Sequence, residues 1–218
     1  MLQVRQVSFG FSSLPLFKNV TFSVQPGRVL QLTGPNGVGK STLMQILAGI
    51  LAPQTGDITF DWSGKTLTDR REALSYLPSE GNGLYLRQDA MNNLHFWARL
   101  SGRLITDGHI RAALEDWGLT NRFFHRNFPV GKFSTGMKRR LALARLSLIG
   151  HPLWLLDEPV YGLDPDATER FRRHLGDHVR NGGSAVLISH DAAASGNLDI
   201  IPFVMGAPQL RGNGGGTT

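Results

Sequence analysis

The chain contains no cysteine, so disulfides play no part in its fold. That composition is compatible with a reducing compartment. It has no run of about 18 apolar residues, so no segment reads as a bilayer-spanning helix. The amino end, Met1-Leu2-Gln3-Val4-Arg5, lacks the charged and apolar regions of a secretion signal and alternates like a strand. Internal repeats are also missing. Charged residues make up only 18% against 41% hydrophobic, the balance of an ordinary globular protein. What is present is 218 residues, enough for one or two domains with a sizeable core.

The charge that exists is unevenly spread. The formal net charge is +6. Ser79 to Gly150 holds 11 Lys and Arg against 5 Asp and Glu, so the whole excess lies in the middle third. A basic surface of this kind suits nucleic acid, anionic lipid headgroups or an acidic partner, and is equally compatible with a simply solvated face.

Residues 1–31 read as strands, with Leu2, Val4, Phe22 and Val24 alternating with polar neighbours. Val29–Thr33 is a β-prone run entering a glycine-rich turn, and Thr42–Ala48 has helical spacing with Gly49 as its stop. Ile58–Trp62 returns to period two. Residues 88–100 and 107–118 read as amphipathic helices, with Leu94, Trp97, Ala98 and Ile110, Ala113, Leu114, Trp117 on apolar faces. A further helix is expected over Thr135–Ile149. Leu153–Leu156 and Ala185–Ser189 read as strands buried on both faces of a parallel sheet, with a helix over 166–180 between them. The pattern predicts an α/β core, 1–78 and 151–205, interrupted by a helical subdomain, 79–150. The glycine-rich tail 206–218 is expected to be mobile.

Four segments carry chemistry. Gly34-Pro35-Asn36-Gly37-Val38-Gly39-Lys40-Ser41 fits G-x-x-x-x-G-K-[ST] between a strand and a helix. Glycines let the backbone curl so that successive N–H groups face phosphate oxygens, and the helix N-terminus adds its positive dipole end. Lys40 is placed to neutralise β- and γ-phosphates, and Ser41 to ligate Mg²⁺. Leu153–Glu158 ends a buried strand in two carboxylates. Asp157 suits the metal, and Glu158 suits the general base that polarises the attacking water. His190 follows another buried strand, at the sheet edge where α/β proteins bind ligands, within reach of a γ-phosphate. Phe133-Ser134-Thr135-Gly136-Met137 precedes a basic helix, and Ser134 suits its N-cap. On its own this last segment reads as a capped helix.

The set resembles the ATP-binding subunit of ABC transporters over roughly residues 1–205. The resemblance implies a P-loop NTPase (RecA-like) core with a mostly parallel sheet, an N-terminal antiparallel β subdomain and an inserted α-helical subdomain. It implies ATP and Mg²⁺ as cofactors, with Gly34, Asn36, Gly37, Gly39, Lys40, Ser41 and Thr42 around the phosphates. Phe133–Met137 is similar to the family signature L-S-G-G-Q. That similarity implies a head-to-tail dimer, homo- or heteromeric, in which Ser134 and Gly136 of one chain touch the γ-phosphate held by the other. Tyr161–Asp164 resembles the D-loop at that seam, and His190 the switch histidine. Phe11 occupies the place of the aromatic that stacks on adenine; its alternative is a core aromatic at a strand end. The resemblance further implies a peripheral position on the cytoplasmic face of the membrane, through an integral-membrane transporter subunit. That partner's short helix docks on the helical subdomain, where Arg99, Arg103 and Arg111 can pair with its carboxylates.

Departures from the family pattern matter. The signature has Phe133, Thr135 and Met137 where leucine, glycine and glutamine are expected. The glutamine expected after Leu74-Ser75-Tyr76-Leu77-Pro78 is replaced by Ser79, then Glu80, and Gln88 lies too far downstream to substitute. Ser79 is the candidate metal contact at that place, and slower or differently coupled hydrolysis is expected. Leu141–Leu146 and His151–Pro159 resemble the heme exporter of cytochrome c biogenesis. Ser134–Arg139 and Gly162–Pro165 are equally similar to multidrug, sodium or polysaccharide-type exporters. Soluble relatives acting on ribosomes or DNA carry two nucleotide domains or long coiled coils, which this chain lacks, so no nucleic acid is expected. A regulatory subunit without turnover fits the altered motifs. A P-loop kinase leaves Phe133–Met137 and His190 unexplained.

Overall fold

The computed structural model describes residues 1–206 other than 13, 63, 68, 121–127, 192, 193, 195 and 197. Apart from Gly206, the expected mobile tail lies outside them. Among them no helix is long and apolar enough to cross a membrane.

Two sheets organise the chain. Strands β1 (Leu2–Phe11), β2 (Leu14–Val24), β3 (Val29–Thr33), β4 (Thr55–Trp62), β5 (Lys65–Thr66), β6 (Leu74–Leu77), β7 (Leu153–Asp157), β8 (Ser184–Ile188) and β9 (Ile200–Val204) divide between them. The first sheet has order β2-β1-β4-β5 and is antiparallel. The second has order β6-β7-β8-β3-β9 and is parallel throughout. Helices α1 (Lys40–Ala48), α2 (Arg70–Ala73), α3 (Ala90–Leu100), α4 (Asp107–Asp116), α5 (Thr135–Ile149) and α6 (Pro165–Arg180) complete the chain.

The continuous apolar strands are continuous because both faces are covered. Leu30, Leu32, Leu153, Leu155, Val186 and Ile188 point to one side, into a core shared with α1 and the antiparallel sheet. Their neighbours Val29, Trp154, Leu156, Ala185 and Leu187 point to the other, against Ala142, Leu143 and Leu146 of α5 and Phe171 and Leu175 of α6. Each such leucine contributes roughly 2 kcal/mol by leaving water. A third cluster, with Met91, Leu94, Ile110, Leu114, Phe133 and Leu141, joins α3, α4 and the head of α5. Phe133, unusual for the signature, is an anchor of that cluster and is buried.

Capping sets the helix starts. Asp89 accepts from the Asn92 N–H at the head of α3, Thr106 from His109 at α4, Ser134 from Met137 at α5 and Asp164 from Ala167 at α6. Each cap is worth about 1 kcal/mol. Helix α1 differs: its N-cap is Gly39, in the left-handed region at φ 100°, with no side-chain cap.

The parallel sheet decides where chemistry can occur. β7, β8 and β3 are neighbours, so the segments that follow them open at one edge. β6, next to β7, sends Pro78 and Ser79 to the same edge.

Candidate nucleotide site

At that edge lies a cleft of about 730 Å³. It is lined by the expected Phe11, Asn36, Gly37, Gly39, Lys40, Ser41, Thr42, Ser79, Asp157, Glu158 and His190, together with Leu16, Tyr161 and Ile188. Gly34, Ser134 and Gly136 stand outside this lining. Gly34 takes part through its carbonyl, which accepts from Lys40 Nζ at 2.8 Å, as the Pro35 carbonyl does at 3.0 Å. The loop thus holds the Lys40 ammonium in place.

Gly39 cannot be replaced without strain. Besides its positive φ, a Cβ there would meet Leu16 and Phe17 side-chain atoms at 2.8–2.9 Å. The tight packing brings the start of α1 against the antiparallel sheet. Lacking a side-chain cap, α1 leaves its first N–H groups and its positive dipole end for an anion. Phe11 ends β1, stands 59% exposed and meets Phe9 edge-to-face at 5.1 Å. Its ring is therefore open to a stacking partner.

Asp157 is the most buried carboxylate of the site. Burial raises its pKa, while the facing hydroxyls of Ser41 and Ser79 and the cations of Arg139 and Lys40 pull it back. Its Oδ2 has no hydrogen-bond partner among the described residues. A buried carboxylate oxygen without a partner, beside two hydroxyls at the phosphate loop, is the donor set of a hard oxygen-seeking cation. The residues therefore fit Mg²⁺.

Glu158 adopts φ 49°, the left-handed region that non-glycine residues enter only at a cost of order 1 kcal/mol or more. Its N–H donates to the Ile188 carbonyl at 2.9 Å. Its carboxylate accepts from the His190 N–H at 3.4 Å and from Ser189 Oγ at 3.5 Å. His190 Nε2 stands 3.8 Å from Glu158 Oε1, and the imidazole remains mostly exposed. A carboxylate and a histidine thus face the same open space.

Ser134, exposed, and Gly136, half-buried, stand at the head of α5. The Ser134 Oγ accepts from the Met137 N–H at 3.2 Å. A Cβ on Gly136 would come within 2.9 Å of the Gly162 carbonyl, so the signature segment and the loop after β7 touch through backbone. Arg140 pairs with Asp164 across the same contact.

The residue that sequence reasoning missed is Arg139. Lys138-Arg139-Arg140 reads as the start of a basic helix, yet Arg139 is 2% exposed. The available signal was its spacing: Arg139 shares a helical face with Ala142, Leu143 and Leu146, all buried.

A phosphate loop after β3, two carboxylates at the end of β7 and a histidine after the intervening β8, gathered at one edge of a parallel sheet, define a nucleotide-hydrolysing α/β protein. The chain belongs to the ABC transporter family, whose model matches residues 17–161, and it is an ATP-binding ATPase subunit of that family. It is 38% identical over 194 residues to the cytochrome c biogenesis ATP-binding export protein CcmA of Cupriavidus necator, covering 87% of this chain and 83% of that protein. Among solved structures, an ATP-binding subunit of an ABC transporter superposes with a TM-score of 0.80 at 27% identity, over 95% of this chain and 88% of the other. A dimeric ATP-binding cassette in a post-hydrolysis state bound to ADP and Pi shares the fold, with a TM-score of 0.79 at 22% identity, over 95% and 97% of the two chains.

Proposed function

We propose that the chain powers export through a separate membrane subunit, hydrolysing ATP in a head-to-tail dimer, and that the cargo system is heme export for cytochrome c biogenesis. The convergence of β7, β8 and β3 on one cleft carries the hydrolytic part. The likeness to the Cupriavidus export protein supports the cargo and favours it over multidrug, sodium or polysaccharide-type export.

Each residue has a role in this reading. Phe11 stacks on the base. Gly34–Thr42 wrap the phosphates, with backbone N–H groups and Lys40 as donors. Ser41 and Asp157 hold Mg²⁺, with Ser79 beside them; when bound, the ion screens phosphate charge. Glu158 takes the proton of the attacking water, and His190 holds the γ-phosphate side of the cleft. Ser134 and Gly136, outside their own chain's cleft, serve the cleft of a second chain.

The test is Glu158→Gln. The amide keeps the shape and cannot accept the proton, so ATP turnover falls by about a hundredfold or more while nucleotide binding persists. Wild-type phosphate release from this variant would remove the base assignment. Restored cytochrome c maturation in a strain lacking its export ATPase tests the cargo; no restoration counts against heme.

A further inference from the structure

We infer that Arg139 is a positioning residue for hydrolysis, linking the head of α5 to the alignment of Glu158. The inference rests on the assignment of Glu158 as base and deepens it.

The guanidinium has five N–H donors, and all five are used. Nε donates to the Pro159 carbonyl at 3.1 Å. One terminal nitrogen donates to the Pro78 carbonyl at 2.7 Å and to Asn82 Oδ1 at 2.8 Å. The other donates to the Asp157 carbonyl at 2.9 Å and to the Glu158 carbonyl. Three consecutive carbonyls of the carboxylate-bearing segment and two acceptors of the segment after β6 therefore hang on one planar group.

Two consequences follow from geometry. The Glu158 backbone is in the left-handed region, and strained backbone persists only where its surroundings over-determine it. The Glu158 carbonyl accepts from Arg139 and from the Tyr161 N–H at 3.1 Å, while its own N–H is held by Ile188. Arg139 thus fixes the peptide that aims the carboxylate at His190. On the other side, Pro78 precedes Ser79, whose hydroxyl faces Asp157. Ser79 and Glu80, not a glutamine, follow Pro78, and the guanidinium connects the two segments through the Pro78 carbonyl and Asn82 Oδ1.

Arg139 also lies one turn into α5, whose N-cap Ser134 and first residue Thr135 are the exposed part of the signature segment. A shift of α5 on contact with a second chain's nucleotide moves the guanidinium, and with it the Glu158 peptide. Lysine cannot replace it: three donors on a tetrahedral head do not reproduce a planar five-donor fork.

The experiment uses the full chain with Mg-ATP and compares wild type, Arg139→Lys, Glu158→Gln and the double variant. Arg139→Lys is expected to lower kcat about ten- to a hundredfold, since small misplacement of a reacting group costs that much, with KM for ATP held within about twofold. In the Glu158→Gln background the same change is expected to have no further effect on turnover or nucleotide affinity, because its route is through Glu158. An unchanged kcat, a KM that rises in step, or an additive loss in the double variant would overturn the inference. Glu158→Gln with wild-type turnover overturns the base assignment instead, whatever Arg139→Lys does. Should Arg139→Lys lose its melting transition, Asn82→Ala takes its place, removing one acceptor of five. A kcat reduced about two- to fivefold at constant KM then supports the link, and an unchanged kcat overturns it.

Discussion

At the scale of the residue, the site departs from its family at Ser79. The side chain is short, and its hydroxyl faces Asp157. Serine offers an oxygen at the right place without the length of a glutamine amide. Introducing that length should change turnover: Ser79→Gln is expected to raise kcat by about two- to tenfold in a phosphate-release assay. An unchanged rate and unchanged coupling would mean that the serine is no handicap. Legibility at this scale follows the backbone. Lys40 and Ser41 can be read because they close a contiguous glycine-rich motif, and Asp157, Glu158 and His190 because they end or closely follow buried strands. Arg139 could not, because its five acceptors come from segments 61 residues upstream and about 20 downstream, a relation fixed only by tertiary packing.

At the scale of the element, the strongest readings were the strands covered on both faces, β7 and β8, and the long helices α5 and α6. Their apolar patterns are dictated by burial and leave little choice. Helix α1 begins two residues before the expected Thr42, because the cap there is a glycine and carries no polar signal. Strand β9 carries no clear strand pattern in the sequence, since Pro202 interrupts it. At the sheet edge a proline costs no ladder bond on its open side, so a run unlike an interior strand is tolerated. The seam between β6 and β7 carries a pH consequence. Ser75 of β6 hydrogen-bonds His151 Nδ1 at 2.9 Å just before β7. Burial, then the Arg103 and Arg145 cations, lowers the His151 pKa from 6.5 to about 4. The unfolded chain takes this proton near pH 6.5 and the folded chain only near pH 4, so stability is lost as pH falls through that window. The loss is on the order of 3 kcal/mol. Denaturant unfolding at several pH values should show His151→Asn to be less acid-sensitive than wild type between those limits; parallel curves would contradict it.

At the scale of the whole molecule, the surplus positive charge sits on the helical layer. Arg99, Arg103 and Arg111 are exposed on or beside α3 and α4. Beside Arg99 a cleft of about 410 Å³, lined in part by Ile50, Trp97 and Leu100, opens between the end of α1 and α3. Tyr85, Phe96 and Trp97 make edge-on ring contacts at 4.5 and 5.6 Å beside it. An apolar cleft with a cationic surround suits an amphipathic helix bearing carboxylates. Reversing Arg99, Arg103 and Arg111 to glutamate is expected to weaken binding of the membrane subunit by about tenfold or more at low salt, while ATPase of the isolated chain is kept. Retained binding in a pull-down would assign that charge to solvent.

The bare start of α1 gives the substrate a second part to play. Four other helices carry their own terminating side chain, and this one leaves the position vacant for something outside the sequence. In the proposed reading, a phosphate group seated there completes the helix much as an aspartate would. ATP is in that sense a removable component of the architecture as well as fuel for it. The folded population rises with nucleotide concentration by mass action, and each hydrolytic cycle then withdraws, for a moment, a member of the scaffold that aligned it.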